Sequence, residues 1–162
     1  NCTGSVCDKV INRVWKAKDD CNNSVTCTQV IRFQEREKCP RSPGYWKNHR
    51  SAWPVNSLVV GGVNYNATQL MNLLSNKLPN GNSCSGDASV YLAKFVIATR
   101  FNLLDDSQPH GILDELEDAD EFLEDFPPGS NPRGSNKQRA TNLMDRLDCY
   151  VNSNPPGCLD CN

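Results

Sequence analysis

The fold turns on the stretch Ala88-Ser89-Val90-Tyr91-Leu92-Ala93-Lys94-Phe95-Val96-Ile97-Ala98-Thr99-Arg100-Phe101. At helical pitch, Val90, Leu92, Ala93, Val96, Ile97 and Phe101 spread around much of the circumference. A helix apolar on nearly every side belongs in the middle of a domain, covered by other elements. Three neighbouring segments qualify as covers. Ala67–Leu74 offers Leu70, Met71, Leu73 and Leu74 behind Asn66 as a cap. Ile112–Phe126 sets Ile112, Leu116, Ala119, Leu123 and Phe126 at alternating spacings of four and three, with acids between them that should face water. Lys137–Val151 presents Ala140, Leu143, Met144, Leu147 and Tyr150 after a Gly/Ser/Asn/Pro loop at 127–136, and Asn154-Pro155-Pro156-Gly157 stops it. The expected core holds Trp46, Trp53, Leu70, Leu73, Val96, Ile97, Leu116, Leu123, Leu143 and Leu147.

Toward the N-terminus the periodicity changes. Ser57–Tyr65 reads as a small hairpin turning on Gly61-Gly62. Before it, Arg41-Ser42-Pro43-Gly44 reads as a linker or turn, followed by the aromatic stretch Tyr45–Pro54. The first 35 residues read as β, with strands over Val10–Lys18 and Thr26–Phe33. The second alternates Cys27, Gln29, Ile31 and Phe33 against Thr26, Thr28, Val30 and Arg32, and Asp19–Ser24 between the strands is rich in turn formers. The fold class is therefore α+β: an N-terminal β segment, 1–39, and a mostly helical domain, 40–162, supported by disulfides.

The 162 residues carry 17 basic and 19 acidic side chains, a net charge of −2 that gives no reason to expect nucleic acid as partner. Residues 1–50 hold ten bases and five acids, whereas residues 51–162 hold seven and fourteen. Such a dipolar chain suits attraction between opposite ends of neighbouring copies. No stretch approaches the roughly 18 apolar residues of a membrane span, so membrane insertion is not expected, and the chain reads as mature from Asn1 without a signal peptide. Hydrophobic residues make up 38%, which predicts a modest core that cross-links would help.

Nine cysteines, Cys2, Cys7, Cys21, Cys27, Cys39, Cys84, Cys149, Cys158 and Cys161, supply candidates for those cross-links. The only CxxC is Cys158–Cys161, and His49 and His110 form no HxxxH, so zinc is the lesser reading and no metal or other cofactor is expected. Disulfides in an oxidising compartment are the greater one. Cys21 with Cys27, and Cys149 with Cys158 or Cys161, are the favoured pairs; Cys21 and Cys27 pairing elsewhere is the alternative. An odd total leaves at least one cysteine free or bonded outside the chain. Three sequons, at Asn1, Asn22 and Asn66, agree with an extracellular or cell-surface location. The acidic run 105–125 reads first as a solvated helix face. A calcium site is the alternative, but the loop with alternating Asp/Asn ligands and a distal Glu is missing.

Two stretches carry a resemblance. Pro43-Gly44-Tyr45-Trp46-Lys47-Asn48-His49, then Ala52-Trp53-Pro54, Gly61-Gly62-Val63-Asn64-Tyr65, Gly86-Asp87-Ala88 with Leu92-Ala93, and Leu147-Asp148-Cys149-Tyr150-Val151-Asn152 together resemble a PGYWKNH-signature helical module of secreted and cell-surface proteins, over roughly 42–158. That resemblance implies no established activity. Upstream, Ile11–Ile31 is similar to the last two strands of Ig-like repeats in surface adhesins. Only the ending of such a repeat is present, so the resemblance implies a partial Ig-like sandwich.

Tyr45, Trp46, His49 and Trp53 form the most distinctive constellation. Aromatic faces suit sugar rings, which makes glycans candidate ligands; the competing reading is a structural knot whose His donates to a backbone carbonyl. GxSxG, HExxH and P-loop patterns are absent, and the carboxylates of 114–125 on an exposed helix have no reason to acquire catalytic pKa values. An enzyme is not expected, and an extracellular hydrolase is the weakest reading. The expected role is a non-enzymatic extracellular structural protein, a subunit of a filament or matrix that self-associates, or binds another extracellular chain, through residues 1–35. The alternative is a secreted carbohydrate- or surface-binding adhesive module. The hairpin merely packing on its own helical domain is the plain competitor of both.

Overall fold

The computed structural model describes residues 8–34, 38–107 and 109–152. The chain forms two compact units, Asn1–Glu37 and Lys38–Asn162. The division falls two residues before the expected boundary after Cys39, because Cys39 and Pro40 are already buried with the helical unit.

The first unit is an antiparallel pair, β1 (Asp8–Lys18) and β2 (Ser24–Gln34), in unbroken register from Lys18↔Ser24 to Asp8↔Gln34. Residues 19–23 join the strands, and hydrogen bonding between Asp19 and Asn23 narrows the loop to residues 20–22. The Asn22 amide donates to the Asp19 carbonyl (3.1 Å), the Asp19 amide donates to the Asn23 carbonyl (3.0 Å), and Asn22 takes φ 68°. This is a type I turn followed by a left-handed residue, where Asn is tolerated better than most side chains. The Asp19 carboxylate reinforces it by accepting from the Cys21 and Asn23 amides at 3.0 and 2.8 Å and from Asn23 Nδ2 at 2.8 Å.

The second unit is built around α3 (Ala88–Leu104), which packs against α1 (Pro43–Asn48), α2 (Ala67–Leu74), α4 (Leu113–Asp125) and α5 (Gly134–Asn152), and against the small hairpin β3 (Ser57–Val60) and β4 (Val63–Asn66). Twenty-five buried apolar residues form one continuous core. Apolar side chains are as frequent in the hairpin unit as here, so enclosure by neighbouring elements, not composition, sets where the core forms. Nine of the ten expected core residues are buried; Trp53 is half-buried at its edge. Phe122 joins the core although it was not expected there, because it lies one turn beyond Ala119 and stacks on Phe126 at 5.0 Å.

Local chemistry sets the element ends. Asn66 accepts from the Thr68 and Gln69 amides while the Gln69 side chain accepts from the Asn66 amide, a capping box that starts α2. Helix α1 begins within the segment read as a linker or turn, 41–44, and runs into the aromatic stretch. Ser42 accepts from the Tyr45 amide, and Pro43 sits in the first turn, where its missing N–H costs nothing. In the β3–β4 turn, Gly61 and Gly62 take φ 51° and 68°. A Cβ on Gly61 would also lie 2.6 Å from Leu123 Cβ and 2.7 Å from its carbonyl carbon, so glycine is required twice over.

Candidate functional site

Trp46 is 1% exposed and sits edge-on to Phe101, with ring centroids 5.3 Å apart. Its indole N–H donates to Asn102 Oδ1 at 3.1 Å. The same oxygen accepts from the Arg41 amide at 2.7 Å, and Asn102 Nδ2 donates to the Arg41 carbonyl at 2.9 Å. Asn102 itself is 1% exposed, so a buried amide on α3 clamps both the segment leading into α1 and Trp46. Trp53 donates to the Trp46 carbonyl at 2.7 Å. His49 Nδ1 lies 2.9 Å from the Tyr45 carbonyl, which makes Nδ1 the protonated nitrogen, and the imidazole stacks on Tyr45 at 4.3 Å.

The structure thus brings Tyr45, Trp46, His49 and Trp53 together, but turns both indole N–H groups and the His Nδ1–H inward onto protein acceptors. This arrangement is a knot that fixes α1 to α3. The outward rim is cationic: Arg41 lies over the Tyr45 ring at 5.0 Å and Arg50 over the Trp53 ring at 5.8 Å.

The other motif residues behave alike. Asp87, 3% exposed, caps α3 through the Ser89 amide at 2.9 Å, and its second oxygen accepts from the Gly129 amide at 2.8 Å, tying down the loop before α5. The N-terminal end of the helix dipole favours this buried carboxylate. Asp120 is not one of the water-facing acids expected of α4. It pairs with Arg100 and accepts from the Gly61 amide at 2.9 Å, while Arg100 also donates to the Val59 carbonyl at 2.8 Å. One carboxylate therefore joins α3, α4 and the β3–β4 turn. Asn102 and Asp120 were not singled out from sequence. A polar residue interrupting an apolar helix was the available sign for the first, and nothing local marks the second within its acidic run.

Among the described residues no group of His, Cys, Asp and Glu is arranged to hold a metal ion, and no helix is long and apolar enough to cross a membrane. Cys21 and Cys27 do not form the favoured bond. Cys21 sits in the loop, while Cys27 is three residues along β2 from Ser24, about 10 Å at strand rise. The two cysteines are thus not within the roughly 7 Å that a disulfide allows between its Cα atoms. Cys84 and Cys149 likewise form no disulfide with another described residue, and Cys39 is buried. The Cys84 thiol donates to the Asn76 carbonyl at 3.2 Å, and burial pushes its pKa up, away from the reactive thiolate. Cys2, Cys7, Cys158, Cys161 and Asn1 lie outside the described residues, and with them the expected Cys149 pairing. Asn22 is exposed in the β1–β2 loop; Asn66 is exposed with its Oδ1 occupied in capping α2.

The hairpin is the region whose chemistry is left open. Opposed residues share a face, so Ile11, Arg13, Trp15 and Ala17 lie with Ile31, Gln29, Cys27 and Val25. Trp15 Nε1 donates to Gln29 Oε1 at 3.3 Å and Arg13 lies over the Trp15 ring at 5.3 Å. Val10, Asn12, Val14 and Lys16 share the other face with Arg32, Val30, Thr28 and Thr26. No side chain from Val10 to Arg32 is buried, and Val10, Ile11, Val14, Trp15, Val25 and Val30 are large apolar groups in the open, Val25 at 67%. No protein-family model, no curated protein and no solved structure matches this chain.

Proposed function

We propose that the protein is a non-enzymatic structural component of the cell exterior, a subunit of a filament or matrix that assembles through its N-terminal β segment. The single observation that carries this reading is the hairpin: two strands of eleven residues each, apolar side chains exposed on both faces, and, among the described residues, no third strand on either edge. An isolated two-stranded sheet is marginal in water, and unpaired edges template further pairing. A third strand from another molecule relieves both conditions at once. The helical unit supports the reading differently. Its motif residues are used internally as caps and clamps, which suits a rigid module held on an adhesive segment rather than a reaction centre. The cysteines and sequons favour an oxidising, extracellular setting.

Sedimentation of the full chain over rising concentration, with electron microscopy of the native material, tests the proposal. Concentration-dependent association is expected, and a chain lacking residues 1–35 should remain folded and monomeric. A full chain that stays monomeric at millimolar concentration, or a truncated one that still assembles, would refute it. The adhesive reading rests on the cationic rim, where Arg41 and Arg50 cover Tyr45 and Trp53. Binding on a glycan array that is lost on Arg50→Ala would favour it instead.

A further inference from the structure

The two edges of the hairpin are not equivalent. Strand β1 includes Lys9, Arg13, Lys16 and Lys18, whereas β2 has one charge, Arg32, and none from Ser24 to Ile31. Within those eight residues Val25, Thr26, Thr28, Val30 and Ile31 are β-branched, and neither Pro nor Gly interrupts them. Lysines along an edge discourage strand addition, and an uncharged β-branched edge invites it. The open edge is therefore that of β2.

Ladder parity fixes what this edge presents. The loop closes on the Asp19–Asn23 hydrogen bond, and the register continues without a bulge. Hydrogen-bonded and non-hydrogen-bonded pairs alternate in an antiparallel ladder. Ala17/Val25, Trp15/Cys27 and Arg13/Gln29 are then the bonded pairs, and the amides and carbonyls of Thr26, Thr28 and Val30 point away from β1. On the outer edge Cys27 occupies the centre of a non-bonded position flanked symmetrically by two threonines.

We infer that a second copy of this chain pairs with that edge, β2 antiparallel to β2, across a two-fold axis at Cys27; the inference rests on the assembly reading above. The sequence is self-complementary in this register. Thr26 meets Thr28 twice, Val25 meets Gln29, Ser24 meets Val30, and each Arg32 reaches the other copy's loop, where Asp20 is the nearest charge. No like charges oppose one another, and threonine pairs are among the favourable cross-strand pairs. Ile11, Trp15, Ala17, Val25, Cys27 and Ile31 of both copies, with Arg13 and Gln29 among them, then share one face of a four-stranded sheet, above the three strands a sheet needs for independent stability. A two-fold contact closes on itself, so extension of such pairs into a larger assembly needs a second surface, and both sheet faces carry exposed apolar side chains.

Sedimentation of full-chain variants separates the possibilities. Thr28→Pro removes an outward amide from β2, and Val14→Pro removes the corresponding one from β1. The first should weaken association at least tenfold and the second should not. Circular dichroism melts of the helical unit should be unchanged in both. Register is read by charge: Thr26→Lys with Thr28→Lys should abolish pairing, and Thr26→Lys with Thr28→Glu should restore it, because position 26 faces position 28 of the other copy. In a Cys21→Ser chain, diamide, which takes two electrons and two protons from a thiol pair, should link Cys27 to Cys27, as peptide mapping would show. Association blocked by Val14→Pro and not Thr28→Pro, or unaffected by the lysine pair, or a Cys27 that never links to itself, would overturn the inference while leaving assembly standing. Absence of any association in the unaltered chain would remove both.

Discussion

Of the long elements, strand β2 and helix α3 are the least charged, and they meet opposite fates. Eleven of the seventeen residues of α3 are buried, under four helices and a small hairpin. None of the described side chains of β2 is buried, although Val25, Val30 and Ile31 are as apolar as their counterparts in α3. Apolar content alone does not make a core; it needs enough surrounding elements to enclose it. The helical unit has them within its own chain. The hairpin, two strands among the described residues, does not, and under the assembly proposal its stability depends on what is added to it.

The sharpest way to break this comparison is to remove one tryptophan from each unit. Trp46→Ala should cost about 3–5 kcal/mol, the range for deleting a fully buried large aromatic, measured by urea denaturation followed through helical circular dichroism. Trp15→Ala, at a side chain 54% exposed, should stay within about 0.5 kcal/mol in the same assay, while weakening association if the hairpin faces become covered. Equal losses would mean that the hairpin is part of the folded core in solution. Next in size is Asn102→Ala. It leaves the Trp46 indole N–H and the Arg41 amide without their acceptor in a buried place, an expected loss of about 3 kcal/mol. A third comparison stays within the helical unit. Gly61→Ala meets both a left-handed φ and Leu123, and should cost about 2–3 kcal/mol. Gly86→Ala, with φ 71° and open space around it, should cost about 1 kcal/mol. Tm shifts in that ratio would show that the close approach, beyond the turn conformation, demands glycine at position 61.

Much of this contrast was legible in the sequence, for reasons that differ by element. Helices α2, α3, α4 and α5 announce themselves through apolar spacing, and their observed ends fall within three residues of those expected. Strands β1 and β2 follow from alternation and a turn-forming gap. Helix α1 escaped because six residues are too short for periodicity to register, although Ser42-Pro43 carries the cap and first-turn signature. The Cys21–Cys27 pair failed because separation along the chain says little about distance once one residue sits in the loop and the other well along a strand. The aromatic constellation was legible as a cluster but ambiguous as chemistry, since a tryptophan's polar tip serves a ligand or a backbone carbonyl equally well. Only its acceptors, Asn102 and Trp46 O, decide the matter, and Asn102 lies 56 residues away. Asp120 shows the same limit: eight carboxylates populate α4, and only tertiary packing selects the one that meets Arg100 and Gly61.

The smallest expected effect concerns the loop that holds the two strands in register. Hydrogen bonding, first from the Asn23 side chain and then from the Asn23 and Cys21 amides, lowers the pKa of Asp19 below its usual 3.8, against a raising contribution from desolvation. A carboxylate whose folded pKa is depressed contributes stability that is fully present above its unfolded pKa and lost as pH falls through the folded one. The hairpin should therefore keep its loop intact at neutral pH and loosen only below about pH 4. Because Asp19 is fully exposed, the change is confined to the loop and leaves the helical unit untouched. Amide exchange at Cys21 and Asn23, followed by NMR from pH 6 to pH 2.5 and corrected for intrinsic rates, should show protection falling in that window. In Asp19→Asn the fall should be absent, since an amide side chain accepts at every pH. A fall that persists in Asp19→Asn would assign the acid sensitivity to another group and leave the backbone bonds of the turn as its main support.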